Sequence, residues 1–148
     1  MELALQTIVA ATDLSDVGDR AVDTACRLAA DHGARVLLVH VIERPATPNP
    51  LYAHYLRMPA PEEEQRAVEA IDAALRERVP AALRARVPHE AIVPLGQPAD
   101  EIVRLAADRG ASLVVVASHG RGGLARVVLG SVSSRVAARA PCPVLIVR

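Results

Sequence analysis

Residues Thr7 to Ile42 read TIVAATDLSDVGDRAVDTACRLAADHGARVLLVHVI, and this stretch decides the fold. Thr7 to Thr12 is a short apolar, β-branched run, followed at once by Asp13, Ser15 and Asp16, the residue types that cap helix N-termini. From Val17 to Asp31 the apolar residues Ala21, Val22, Ala25, Leu28 and Ala29 recur at helical spacing, and Gly33 supplies the stop. Arg35 to Ile42 is then almost unbroken in its apolarity, as expected of a strand covered on both faces of a parallel sheet. Strand, helix and strand in this order form a β-α-β unit.

Outward from that unit, Glu43 to Pro61 holds five prolines and predicts a long irregular connection. Glu62 to about Val79 has acids in its first turn, arginines later, and Val68, Ile71, Ala74 and Leu75 on one face, which predicts an amphipathic helix. His89 to Val93 reads as a short strand, Pro98 to Arg109 with Gly110 behind it as a helix, and Leu113 to Ala117 as a buried strand. The glycine-bearing segment SHGRGGLARVVLGS follows, then a helix from about Ser131 to Ala138 and a last strand, Val144 to Val147. Five strands alternate with four helices, which predicts a three-layer α/β/α fold around a doubly wound parallel sheet.

The chain has 148 residues, about the length of one domain, and we read residues 1–148 as one. Apolar residues make up 51% of it, enough for a core and too many for a disordered chain. There is no apolar run of the ~20 residues a membrane span needs, and the N-terminus lacks a basic secretory leader, so a cytoplasmic protein without a membrane partner is expected. Seventeen basic residues balance seventeen acidic ones, and Tyr52 and Tyr55 are the whole aromatic inventory. Neither an electrostatic hold on nucleic acid nor base stacking is therefore expected. All the basic residues are Arg, which excludes Schiff-base chemistry and a Walker-type lysine. Cys26 and Cys142 form no metal-binding pair, and the five histidines show no ligand spacing; His40, inside an apolar strand, reads as a core residue. Cys142, between two prolines, reads as a structural thiol. No nucleophile elbow or acidic cluster announces catalysis, so binding is favoured over turnover.

In doubly wound sheets ligands sit beyond the carboxyl ends of the strands. The loop after the fourth predicted strand is the specialised one, with Gly120, Gly122, Gly123 and Gly130 leading to Ser131 at a helix start. Glycines let backbone N–H groups approach an anion, and a helix N-terminus adds partial positive charge, so a phosphate would fit. Ser131 and Ser133 could donate hydroxyls and Arg121 a formal charge. A plain connection capped by Ser131 has the same composition, so both readings stand on the residues alone.

Ala117 to Ser131 resembles the nucleotide loop of the universal stress protein family, whose ATP-binding members carry G-x-x-G, nine residues, then G-S or G-T. Here Gly120, the nine residues Arg121 to Leu129, Gly130 and Ser131 keep that spacing, while Ala117 replaces the first glycine. Alanine there costs little if its φ is negative and strains the loop if φ is positive. The resemblance extends to the opening IVAATDLS, to LLVHVIE and to the ending APCPVLIVR, and so to essentially the whole chain.

The resemblance implies a Rossmann-like fold of the adenine nucleotide alpha hydrolase kind, with strand order 3-2-1-4-5. It implies ATP, or ADP or AMP, with Mg²⁺ accompanying the phosphates. Asp13 would hydrogen-bond near the ribose with Thr12 beside it, Val41 would contact adenine, and Val116 and Ala117 would lie against the nucleotide. Gly120, Gly130, Ser131, Val132 and Ser133 would surround the phosphates, with His119 and Arg121 at the rim. Asp13 also fits a helix-capping role with Ser15 and Asp16. The resemblance further implies a homodimer through Val144 to Val147, covering an otherwise open apolar edge. A nucleotide-free dimeric interaction module and a weak Mg²⁺-dependent ATPase are the alternatives, and the protein partner is unknown.

Overall fold

The computed structural model describes residues 4–44, 51, 58–120 and 129–148. Arg121 and most of the proline-rich connection lie outside the described residues. Five strands, β1 (Thr7–Ala11), β2 (Arg35–Val39), β4 (His89–Ile92), β6 (Leu113–Ala117) and β7 (Val144–Val147), pair in the order β4-β2-β1-β6-β7. Every pairing is parallel. Numbered among themselves along the chain, these five strands run 3-2-1-4-5, as expected.

Side chains on a strand alternate between faces, and here the alternation sorts the core into two layers. Ile8, Ala10, Val36, Leu38 and Val115 point to one face, against Ala21, Val22, Ala25 and Cys26 of helix α1 (Asp16–His32) and Leu75 of α2 (Pro61–Glu77). Val9, Ala11, Leu37, Val39, Val114 and Val116 point to the other, against Ala99, Ile102 and Ala106 of α3 (Pro98–Asp108) and Val136 of α4 (Ser131–Arg139). Burying each Val or Leu contributes about 1.5–3 kcal/mol, which makes this double-faced sheet the main source of stability. The chain leaves β1 toward one face and β6 toward the other, so the β1/β6 boundary is the switch point where a crevice opens.

Two short strands were not expected. The predicted strand Arg35 to Ile42 breaks after Val39, and Ile42–Glu43 forms β3, parallel to β5 (Leu95–Gly96) in a separate two-stranded sheet. Main-chain bonds from Ile42 N–H to Pro94 O (2.9 Å) and Arg44 N–H to Gly96 O (3.0 Å) hold it. Gln97 adds a side-chain amide bond to the Arg44 carbonyl, and the Arg44 guanidinium pairs with Glu64 at the start of α2. Among the described residues there are thus seven strands where the sequence predicts five. Ile42 and Glu43 of β3 line one side of the crevice.

Candidate functional site

Past the end of β1 the chain makes a tight, internally bonded turn. Thr12 N–H continues the ladder to Val39 O (2.9 Å), and the Thr12 hydroxyl oxygen accepts the N–H of Leu14 (3.0 Å). Asp13 Oδ1 accepts the N–H of Ser15 (3.0 Å) and also its hydroxyl, while Ser15 Oγ accepts the N–H of Gly18 (3.3 Å) as the cap of α1. Asp13 is therefore not the cap; it orients the residue that is. A Cβ on Gly18 would lie 2.9 Å from Asp13 Oδ1, and one on Gly120 would lie 2.7 Å from Oδ2. The carboxylate occupies a slot that exists because two glycines flank it.

Past the end of β6 a second turn closes on itself. Ser118 N–H bonds Val147 O (2.7 Å), and Ser118 O accepts both Gly130 N–H (2.7 Å) and the buried Ser133 hydroxyl (3.1 Å). Ser118 thus joins the two ends of the glycine loop. The cap position of α4 is Gly130, not Ser131, and it offers no side-chain cap. Gly130 has φ −59°, open to any residue. Its lack of a side chain matters because a Cβ would come within 3.3 Å of His119 Cα and Ser118 O. The first bond of α4 runs from Ser134 N–H to Gly130 O (3.0 Å), so the N–H groups of Ser131, Val132 and Ser133 precede the helical ladder. They form the electropositive end of the helix dipole. Ala117 pairs with Val147 as an ordinary strand residue, and Leu14 is the only described non-glycine with positive φ, so alanine at 117 costs no backbone strain.

The two turns face each other across a cavity of about 880 Å³ at the switch point. Thr12, Asp13 and Val41 line it from the β1 and β2 side; Val116, Ala117, His119 and Gly120 line it from β6. Gly130, Ser131, Val132 and Ser133 complete it, so every expected site residue among the described ones is brought together. The Ser133 hydroxyl is the exception in chemistry, since its proton points to the Ser118 and Gly130 carbonyls and away from a ligand role. Ser118 Oγ lies 2.9 Å from His119 Nδ1 at the rim.

Several lining residues escaped the sequence reading. His40 is not a core residue; it lines the cavity, with Nδ1 2.9 Å from Thr12 O. Ala67 and Ile71 of α2 also line it, although Ile71 belongs to the helical face that reads as core. The signal was present, since one face of α2 serves both purposes: its last turn buries Leu75 and its middle turns wall the cavity, with Ile71 also packed against the core. Ile42, Glu43 and Pro98 line the cavity beside the short second sheet, for which no sequence pattern existed. Among the described residues no three His, Cys, Asp or Glu side chains gather to hold a metal, and no helix is long and apolar enough to cross a membrane.

The fold and cavity have counterparts among known proteins. Lactobacillus plantarum UspA, a universal stress protein, superimposes with a TM-score of 0.79 at 25% identity, covering 97% of this chain and 98% of its own. A universal stress protein solved in complex with cAMP matches with a TM-score of 0.70 at 32% identity, over 98% of both chains. In sequence, a Thermus aquaticus protein described as a universal stress protein in the QAH/OAS sulfhydrylase 3′ region is 38% identical over 144 residues, covering 97% of this chain and 98% of that protein. The family model for the universal stress proteins matches residues 4–148, so the switch-point cavity and the sheet around it are those of a chain that belongs to the universal stress protein family.

Proposed function

We propose that residues 1–148 form one universal stress protein domain that binds an adenine nucleotide, ATP or else ADP or AMP, in the switch-point cavity. The observation that carries this reading is the juxtaposition of the Asp13 carboxylate with the uncapped N-terminus of α4 across one cavity. Asp13 accepts hydrogen bonds from ribose hydroxyls with Thr12 beside it, and Val41 offers its backbone and an apolar surface to the base. Val116 and Ala117 pack against the nucleotide. Gly120 and Gly130 leave room for the phosphates, and the N–H groups of Ser131, Val132 and Ser133 donate to them, with His119 and Arg121 at the rim. Ser133 contributes through its backbone, its hydroxyl being used within the loop. These groups fit a phosphorylated ligand: a helix N-terminus, a cradle that a Cβ would fill, and one carboxylate as hydroxyl acceptor. Mg²⁺ would arrive with the phosphates, not through a protein cage. The relative solved with cAMP, 32% identical to this chain, supports an adenine ligand.

The reading is of a cytoplasmic regulatory protein that binds nucleotide without relying on turnover, and of a homodimer through β7. That strand pairs with β6 on one side, and Leu145 stands 37% exposed on it. Light scattering is expected to give the dimer mass, and Leu145→Arg the monomer mass.

The test of binding is to denature purified protein, identify any released nucleotide by chromatography, and titrate stripped protein with ATP and Mg²⁺ by calorimetry. Released nucleotide, or a Kd on the order of micromolar that Gly130→Val abolishes, is the expected result. No released nucleotide and no heat at millimolar ATP would overturn it and leave a nucleotide-free dimeric module. Mg²⁺-dependent phosphate release that is lost in both Asp13→Asn and Ser131→Ala would make the protein a slow ATPase.

A further inference from the structure

Leu14 directly follows Asp13 and sits at φ 67°, the left-handed region that a leucine side chain disfavours. Such a conformation persists only where its surroundings impose it. Part of the imposition is local: the Leu14 N–H bonds Thr12 Oγ1, and its side chain packs against the core. The rest comes from 64 residues away, where Arg78, the residue closing α2, donates from Nη2 to Leu14 O (3.2 Å). The same guanidinium donates from Nε to Asp19 Oδ1 in the first turn of α1 (2.6 Å) and from Nη1 to Ala74 O in its own helix (2.9 Å). One rigid fork thus ties the end of α2, the start of α1 and the carbonyl after Asp13. Its side chain is only 24% exposed, so this geometry is sheltered from solvent competition.

Asp13 has little freedom of its own. Ser15 occupies Oδ1, and Oδ2 faces the bare Cα of Gly120. The backbone rotation at residues 13 and 14 therefore sets the direction in which the carboxylate leaves the chain, and Arg78 holds the far end of that rotation. The helix that carries Arg78 also walls the cavity with Ala67 and Ile71.

We infer that Arg78 is a positioning residue for ligand binding: by holding Leu14 in its left-handed conformation it aims the Asp13 carboxylate at the ribose hydroxyls. This rests on the nucleotide reading above. Lysine cannot substitute, because an ammonium lacks the planar fork that serves three acceptors in three directions.

The experiment compares ATP with 2′,3′-dideoxy-ATP, which lacks both hydroxyls, by calorimetry on wild type, Arg78→Met, Arg78→Lys and Asp13→Asn. Wild type is expected to prefer ATP. Arg78→Met is expected to lose about tenfold in ATP affinity and little for the dideoxy analogue, so that the preference collapses. Asp13→Asn should collapse it likewise, the double variant should lose no more than Asp13→Asn alone, and Arg78→Lys should restore little. A residue that merely stabilised the fold would weaken both ligands equally. An unchanged ATP preference in Arg78→Met overturns the inference and leaves the nucleotide reading standing, whereas a wild type that binds neither ligand overturns both. Should Arg78→Met fail to fold, Asp19→Asn, which frees the guanidinium from its anchor, carries the same comparison: a reduced preference supports the inference and an unchanged one overturns it.

Discussion

Asp13 sits between two residues that have no side chain, and the chemistry of the crevice depends on that. Placing a methyl at residue 120 would put it 2.7 Å from Asp13 Oδ2, and the carboxylate is too short and too firmly held by Ser15 to swing clear without breaking a bond. Gly120→Ala is expected to cost about 1 kcal/mol in stability and roughly tenfold in ATP affinity, checked by denaturant titration and calorimetry on the same preparation. The two thiols make a second residue-scale contrast. Cys26 is fully buried, and burial, reinforced by Asp23, pushes its thiol up to about 11. Cys142 is half-buried, with burial raising its thiol as well. Native protein treated with iodoacetamide should therefore be alkylated at Cys142 first, and at Cys26 only on unfolding, as peptide mapping would show. The spacing of the loop motif pointed to Gly120 and Gly130, and the family resemblance to Asp13. Ser118 and Arg78 were missed because a serine after a strand and an arginine ending a helix have no pattern; their roles arise from partners distant in the chain.

At the scale of elements, both ends of α1 were legible. Ser15 caps one end, and Gly33 ends the other in the left-handed conformation at φ 68°, its N–H bonding Ala29 O. A Cβ there would meet nothing within 4 Å, so Gly33→Ala isolates the backbone cost: a loss of about 1 kcal/mol in urea unfolding, with ligand affinity unchanged. Helix α2 was legible as a helix and misleading in its purpose, since amphipathic spacing shows which face is covered and not whether protein or a cavity lies beneath it. The strands β3 and β5 were illegible because two residues carry no period. They are defined by their pairing, Ile42 with Leu95 and Glu43 with Gly96, which no local pattern announces.

For the molecule as a whole, alternating strands and helices made a three-layer parallel sheet legible, and the family resemblance gave its strand order. Exposed ion pairs contribute little to holding these layers together. The Arg109 side chain donates two hydrogen bonds of 3.1 Å to Glu90, joining the end of α3 to edge strand β4, and this bonding holds the Glu90 carboxyl below its usual value of 4.5. A depressed carboxylate contributes stability above its unfolded pKa and loses it as pH falls through the folded one. The urea midpoint gap between wild type and Glu90→Gln should accordingly be small at pH 7 and close as the pH falls through the lowered titration of Glu90. The larger lever is the core: Leu38→Ala, at a fully buried position in the sheet, should cost about 2–5 kcal/mol.

The cavity draws its two faces from parts of the chain that are made at different times. Asp13 is near the beginning and α4 near the end, and the β1–β6 pairing that joins them closes a loop of roughly a hundred residues, the slow kind of contact in folding. A chain emerging from the ribosome holds half a site until its last elements join the sheet. Nucleotide added during refolding should therefore leave the folding rate as it is and slow only unfolding, and a fluorescent adenine analogue would signal the moment at which β6 and α4 have joined the sheet.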